Sequence, residues 1–181
     1  MTYSPLFQNL HEKTIEGSIG ELAYNEDTKY YTFPFIHDGI ECFAYFAFIE
    51  DTEDGLTRQS LQEALKHENP NIVIGECPFV MKFGLASETD NEQMFAKNNR
   101  NARNGMFVTL PSKFKLMVKE LSEKVQFDNL FFLAGSETEE HQKRLILWYK
   151  RITDRMDTLD IGFEIFYSNH EVGCYGYKRI D

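Results

Sequence analysis

The sequence predicts a domain of the α/β (α+β) class, with a mixed, mainly antiparallel sheet flanked by helices. Three observations support this prediction. Aromatic and β-branched residues fill two runs, 30–36 and 40–49, on either side of a short turn. Apolar residues recur at helical spacing over 112–125. A continuous apolar run over 129–134 is typical of a strand that is buried on both faces.

The N-terminal part begins with an arm or short helix over residues 1–16, followed by a short strand over 19–24. The hairpin comes next, and His37-Asp38-Gly39 supplies the turn between its two strands. Pro34 lies inside the first of these strands, so this strand is predicted at an edge of the sheet or at a bulge.

The middle of the chain contains one helix and one strand. Ser60 and Glu63 have the spacing of a capping box, which predicts a short helix that starts at Ser60. Residues 72–85 are predicted as a strand. Residues 87–104 are polar and rich in asparagine, and are predicted as a loop. Residues 105–110 are either a further short strand or the approach to the helix over 112–125.

The C-terminal part contains a long helix and a hairpin. A second sequence of capping-box form at 136–139 precedes the helix. Two further runs, 162–167 and 172–179, are predicted to pair across the turn 168–171. The apolar face of the helix is formed by Leu145, Trp148, Tyr149, Ile152 and Met156.

Length and composition indicate a single domain over residues 1–181 with a core of its own, because 42% of the residues are hydrophobic and 14% are aromatic. A disordered acidic tail would be poor in aromatic residues. No apolar run reaches the roughly 18 residues that cross a bilayer, and the first residues lack the pattern of a signal peptide. We therefore expect no contact with membranes and a cytoplasmic location.

The cysteines Cys42, Cys77 and Cys174 are widely spaced, and each lies in an apolar or aromatic run. No CxxC or HxxxH motif occurs. This pattern indicates reduced, buried thiols and predicts no metal site.

The charge of the chain is unevenly distributed. It carries 19 Lys and Arg against 29 Asp and Glu, a net charge of −10, which argues against binding to nucleic acids. Residues 93–119 nevertheless contain no acid. Such a stretch before a helix predicts a site for an anion such as a phosphate, although a basic loop can also be merely exposed. Its positive residues are Lys97, Arg100, Arg103, Lys113, Lys115 and Lys119.

The order of strands, helix, central strand, helix and terminal hairpin resembles that of Gcn5-related N-acetyltransferases. Residues 147–151 followed by Gly162-Phe163-Glu164 resemble the family's leucine–tyrosine helix and its glycine–phenylalanine–glutamate ending. Residues 175–180 resemble its last strand. The resemblance covers roughly the last 80 residues and extends to the rest only through the order of elements.

This resemblance implies acetyl-CoA as the cofactor and an amine as the acyl acceptor. It places the CoA phosphates near Lys97, Arg100, Arg103 and Gly105, and it makes Tyr149 the general acid. The family's phosphate loop has the form Arg/Gln-x-x-Gly-x-Gly/Ala. The matching residues 102–107 begin with alanine and end with phenylalanine, so this loop is degenerate.

Several of these residues also have simpler interpretations. Tyr149 falls on the apolar face of its helix and would be a core tyrosine. Glu76 lies in an apolar run, where a raised pKa would suit a general base acting through water, but alternation would place it outside. His37 and His170 fall in predicted turns and are expected at the surface.

Two functions therefore remain open, beside a third possibility, a self-associating structural protein, which a large exposed apolar patch on the hairpin 30–49 would favour. The first is an acyl-CoA-dependent N-acyltransferase acting on an unidentified amine, small molecule or protein. It predicts an open cleft between the two central strands that the Tyr149 hydroxyl reaches. The alternative is a non-catalytic binding or inhibitor protein on the same fold, with an acidic face around 50–54 and 88–92 for a basic partner. It predicts that the cleft is filled.

Overall fold

A computed structural model describes residues 3–51, 55–86, 106–134 and 139–180. In these ranges the chain forms seven strands and three α-helices. The helices are α1 (Arg58–Glu68), α2 (Met106–Lys124) and α3 (Glu139–Thr153). The strands are β1 (Ala23–Asn25), β2 (Tyr30–His37), β3 (Ile40–Phe48), β4 (Pro78–Leu85), β5 (Asn129–Leu133), β6 (Phe163–Asn169) and β7 (Cys174–Arg179).

The strands form one sheet in the order β1-β2-β3-β4-β5-β7-β6. Every neighbouring pair is antiparallel except β4 and β5, which are parallel and are separated in sequence by α2. A parallel pair requires a crossover connection of this kind. The predicted fold class, a mixed and mainly antiparallel sheet with flanking helices, is confirmed.

The β2–β3 hairpin forms where the sequence predicts it. Asp38 and Gly39 form its two-residue turn with φ angles of +49° and +77°, as a tight hairpin requires. Pro34 donates no hydrogen bond, and its carbonyl accepts one from Gly20 N on the side away from β3. In an antiparallel strand the N–H and C=O of one residue point to the same side, so the missing donor faces the edge of the sheet. β2 is not the edge strand, because β1 pairs with it as far as Thr32 and Ile19 forms an isolated bridge with Phe35.

Two predicted elements have different bounds in the structure. The predicted strand over 72–85 begins only at Pro78, because the Gln62 side chain of α1 bonds the backbone at Ile72 and Ile74 in place of a neighbouring strand. The helix predicted over 112–125 begins earlier, at Met106, and continues through Pro111. Pro111 is the sixth residue of this helix, beyond its first turn, and lacks the N–H that would bond to the turn before it.

The two faces of the sheet are covered differently. Phe114 of α2 contacts Phe83 of β4 and Phe132 of β5, with ring centroids 4.9 and 6.4 Å apart, on the face that α3 also covers. On the opposite face Leu61 and Leu65 of α1 are buried. The sheet therefore lies between two hydrophobic layers.

Candidate functional site

The ladder between β4 and β5 is short. It begins with Pro78 opposite Asn129 and stops after four pairs, at Met81 opposite Phe132. β4 nevertheless continues to Leu85, whereas β5 ends at Leu133, one residue after the last pair, and pairs with β7 along its whole length. We call the space beyond the last pair the β4–β5 gap. In sheets with parallel strands, ligands bind at the carboxyl ends of such strands where neighbouring connections diverge.

The start of α2 lies at the same end of the sheet as the gap. β2 and β4 run in the same direction, since each is antiparallel to β3. Lys113, in the second turn of α2, donates a hydrogen bond to the carbonyl of Ile36 near the end of β2. The first N–H groups of a helix have no partner within the helix and favour anions. The helix N-terminus and the gap thus lie at the same end of the sheet, with β3 between β2 and β4.

Aromatic side chains occupy the helix-covered side of the gap. The ring of Phe83, two residues beyond the last β4–β5 pair, is stacked on Trp148 of α3 at 6.4 Å. It also meets the ring of Tyr149 edge to face at 6.0 Å. Tyr149 makes a second edge-to-face contact, at 5.8 Å, with Phe132. These contacts form a continuous aromatic cluster between the two strands and α3.

Tyr149, the candidate general acid, belongs to this cluster and is only 4% exposed. Burial raises the pKa of its phenol well above the usual value, so the hydroxyl keeps its proton throughout the physiological range. Its backbone carbonyl accepts a hydrogen bond of 2.7 Å from Thr153 Oγ1. Tyr149 is thus a core residue, as its place on the apolar face of the helix indicates. Its catalytic role stays a prediction.

Glu76, the candidate base, is exposed and precedes β4 at the end opposite to the gap. Its neighbours are fixed by side chains near the start of β5: Gly75 N donates to Asn129 Oδ1 and Cys77 N donates to Asp128 Oδ2. The structure therefore does not bring Glu76 and Tyr149 together. Alternation had also placed Glu76 outside the core.

The residues predicted to hold the CoA phosphates, Lys97, Arg100, Arg103 and Gly105, lie outside the described ranges. Two lysines of the same basic stretch are described and serve other contacts. Lys113 is buried against the end of β2, and Lys115 forms an ion pair of 2.6 Å with Asp160. These two lysines connect α2 to the rest of the fold.

His37 differs from its prediction. We expected a surface residue in a turn, but His37 is the last residue of β2 and is 3% exposed. Its Nδ1 lies 3.5 Å from Thr109 Oγ1, and its Nε2 has no hydrogen-bond partner. Burial, and then the charge of Lys113, lower its pKa to about 4. The alternation of Phe33, Phe35 and His37 was the available indication that this side chain faces the core.

The remaining candidates from the sequence have no direct relation to the gap. His170 is exposed, as expected, and its Nδ1 lies 2.9 Å from Tyr175 Oη. The three cysteines are free thiols; Cys42 and Cys174 are buried, and Cys77 is half-buried. Burial raises the pKa of Cys42 and of Cys174 to about 12, which leaves little thiolate to act as a nucleophile.

A surface pocket of about 610 Å³ lies at the other end of the sheet. It is formed where α2 ends and β5 begins, and Lys124, Asp128 and Arg179 contribute to its wall. Among the residues that the structure describes, no three potential metal ligands come together, and no helix is long and apolar enough to cross a membrane.

Comparison of the chain with protein-family models, with curated proteins and with solved structures finds no match. The fold and the site alone define the class of this protein. In its described ranges it is an α+β protein with a mixed seven-stranded sheet and a gap beside the one parallel pair of strands.

Proposed function

We propose that the protein is an acyl-CoA-dependent N-acyltransferase-like protein acting on an unidentified amine. The early end of the β4–β5 ladder, at the same end of the sheet as the start of α2, carries this proposal. A thioester could enter between the strands there, with its phosphates next to the helix N-terminus. The order of the strands and helices along the chain agrees with the resemblance to Gcn5-related N-acetyltransferases.

The candidate residues suit the two charged groups of such a reaction, the phosphates of the cofactor and the leaving thiolate. Acyl-CoA would supply an activated thioester. The N–H groups at the start of α2, together with Lys97, Arg100, Arg103 and Gly105, would hold the phosphates. Tyr149 keeps its proton at neutral pH and would give it to the leaving sulfur, once its hydroxyl is exposed to the gap. The proton of the amine would leave through water, because Glu76 lies at the other end of β4.

The first test is isothermal titration of the protein with acetyl-CoA, with CoA and ATP as comparison ligands. We expect micromolar binding of acetyl-CoA, weakened at least tenfold in the double variant Arg100→Ala/Arg103→Ala. The matched control is Lys143→Ala/Arg144→Ala, which removes two positive charges that pair with Glu139 and Glu140 on the exposed side of α3. Absence of binding at millimolar acetyl-CoA and CoA would end this proposal.

Tyr149 needs a separate test, because its role concerns the chemical step. If Tyr149 is the general acid, Tyr149→Phe should bind acetyl-CoA as the wild type does but should release CoA more slowly when an acceptor amine is present. Transfer of the acetyl group to each amine in a screen, followed through the free thiol of the released CoA and corrected for hydrolysis without amine, measures this difference. Equal rates for wild type and variant would remove Tyr149 from the mechanism.

The second candidate is a non-catalytic binding or inhibitor protein with the same fold. The burial of Tyr149 among Phe83, Trp148 and Phe132 favours it, because a core tyrosine is in reach of no ligand without rearrangement. In this case the net charge of −10 and the acidic residues near 50–54 and 88–92 would serve a basic partner. Apart from Glu50, the side chains of those two segments lie outside the described ranges.

Charge neutralisation tests this second candidate. The variant Glu50→Gln/Asp51→Asn/Glu53→Gln/Asp54→Asn should capture less of a basic protein from cell extract at low salt, and all capture should fall at 0.5 M salt. The matched control neutralises four acids near β1: Glu16, Glu21, Glu26 and Asp27, which are exposed. If both variants lose capture equally, the interaction is a nonspecific effect of net charge.

A further inference from the structure

A small polar cluster joins the start of α2 to the end of β2. Thr109 and Lys113 are four residues apart and therefore lie on the same face of the helix. Lys113 Nζ donates a hydrogen bond of 2.5 Å to the carbonyl of Ile36, and Thr109 Oγ1 lies 3.5 Å from Nδ1 of His37. Both Lys113 and His37 are less than 5% exposed. Two basic side chains thus share one buried junction.

The groups that face this junction come from four parts of the chain. Lys113 and Thr109 come from α2. Asp38 follows β2, and its Oδ2 lies 3.7 Å from Nε2 of His37. From β3 Cys42 contributes a buried thiol that interacts with Lys113, and from the N-terminal arm the charge of Glu12 acts on Lys113. Of these, Asp38 is the acid that favours a positive charge on His37.

His37 is neutral in this arrangement, and protonation of its ring is unfavourable there. Neither ring nitrogen has a short hydrogen bond: the Nδ1 contact is at the limit of bonding distance, and Nε2 has no hydrogen-bond partner, since Asp38 Oδ2 is 3.7 Å away. A protonated ring would carry a second positive charge beside Lys113 in a region closed to water. The charged ring is better accommodated in water, which it reaches only if the contact with α2 opens.

We propose that this cluster is an acid-sensitive latch: uptake of one proton by His37 shifts the start of α2 toward a state in which Thr109 and Lys113 have left the end of β2. The rest of the sheet keeps its pairing. The latch lies at the end of the sheet where β4 and β5 part, so its opening changes access to that end.

The size of the effect follows from proton linkage. The closed state holds His37 at a pKa of about 4, and an open state gives it the ordinary value of 6.5. Lowering the pH from 7.5 to 5.0 then multiplies the ratio of open to closed latch by about 30. The change occurs as the pH falls below 6.5 and is complete below about 4.

Hydrogen exchange followed by NMR tests the latch. We expect the protection of the amides of Ser112, Lys113 and Phe114, corrected for intrinsic exchange rates, to fall about 30-fold between pH 7.5 and 5.0. The amides of β5 (Asn129–Leu133) should stay more strongly protected than those of α2 at every pH, because they exchange only when the whole sheet unfolds. If the two groups of amides have equal protection at every pH, the opening is global unfolding and the latch is refuted.

Two variants separate His37 from other histidines. His37→Gln should remove the pH dependence at the start of α2, whereas His67→Gln, at an exposed position of α1, should leave it as in the wild type. If His37→Gln does not fold, a pH series on the wild type decides alone. The protection of the amides of Ser112, Lys113 and Phe114 must then fall tenfold per pH unit between about pH 6.5 and 4, as the uptake of one proton requires. Protection that does not change with pH overturns the proposal.

Discussion

Tyr167 and Glu68 join the last part of the sheet to the end of α1. The Tyr167 hydroxyl donates a hydrogen bond of 2.5 Å to Glu68 Oε2, and Asn169 Nδ2 donates a second one of 2.8 Å to the same oxygen. The partners are 99 and 101 residues apart in sequence. α1 is thereby fixed over the face of the sheet on which Phe131 and Val80 are buried.

We expect Tyr167→Phe to lower the stability of the protein at neutral pH. The two hydrogen bonds, that of Tyr167 first, lower the pKa of Glu68. A carboxyl group with a lowered pKa stabilises the fold above its unfolded pKa of 4.5, and this contribution is lost as the pH falls through its folded value. Urea unfolding at pH 7 should therefore give a lower midpoint for the variant, and the difference should shrink below pH 4.5.

The control for this prediction is Tyr24→Phe, which removes a hydroxyl from an exposed residue of β1. It should unfold at the wild-type midpoint at both pH values. If Tyr167→Phe also keeps the wild-type midpoint at pH 7, the Tyr167–Glu68 bond contributes nothing to stability.

Strong local patterns of the sequence predicted the fold well. The β2–β3 hairpin and β5 lie within one or two residues of their predicted bounds, because aromatic runs and an Asp-Gly turn determine them locally. The strand predicted over 19–24 shortens to Ala23–Asn25. The order of strands in the sheet, and contacts such as Tyr167 with Glu68, depend on distant parts of the chain and left no local pattern.

The start of α1 shows how a local pattern can mislead by a few residues. Ser60 and Glu63 matched the capping box, yet the cap is Thr57. Thr57 Oγ1 accepts a hydrogen bond from Ser60 N at 3.1 Å, and Ser60 Oγ accepts one from Thr57 N at 3.0 Å. Serine occupies the third helical position, where a capping box usually has glutamate or glutamine, so residues 57–60 do not match the usual sequence pattern.

Thr57→Ala should therefore lower the free energy of unfolding by about 1 kcal/mol, the usual effect of losing a helix cap. The control Thr28→Ala removes the same atoms from an exposed turn between β1 and β2 and should have little effect. Urea unfolding followed by circular dichroism measures both. Equal midpoints for the two variants would mean that α1 does not depend on this cap.

The candidate site was less predictable than the fold. The position of Tyr149 on α3 followed from helical spacing, and its place in the core was one of the two interpretations that the spacing allowed. Glu76 and the gap lie at opposite ends of β4. Their separation depends on the parallel register of β4 and β5 and not on residue type, so the sequence does not show it. His37 lies in the core and not at the surface because the hairpin turn has two residues, Asp38 and Gly39, and not the three that the sequence predicts.

The cysteines should differ strongly in reactivity. Burial raises the pKa of Cys42 and Cys174 to about 12, so that at pH 8 roughly one molecule in 10⁴ carries either thiolate. Cys77 is half-buried, and its Sγ donates to the carbonyl of Gln126 at 3.3 Å. We expect a thiol reagent to modify Cys77 first in the native protein and the other two only after denaturation.

Cys77→Ser should abolish this first reaction, and Cys174→Ser should leave it intact. With an aromatic disulfide as the thiol reagent, each modified cysteine releases one aromatic thiolate. The absorbance of this thiolate gives the number of cysteines modified and the rates of their reactions. A native protein in which Cys42 reacts as fast as Cys77 would mean that the sheet around β3 opens to solvent much more readily than its burial indicates.

Lys113 should control the titration of His37. Desolvation is the largest cause of the low pKa of His37, and the charge of Lys113 is the next. Lys113→Met removes that charge but leaves the ring buried. We therefore expect the midpoint of His37 to rise from about 4 but to stay below the ordinary value of 6.5.

The chemical shifts of the imidazole ring, followed by NMR between pH 3.5 and 8, measure this midpoint. The control Lys119→Met removes an exposed charge from the same helix and should leave the midpoint in place. An unchanged midpoint in Lys113→Met would assign the whole shift to desolvation. Repulsion by Lys113 would then contribute nothing to the latch, and loss of hydration alone would oppose protonation of the closed state. The measurement therefore decides which of the two forces opens the junction.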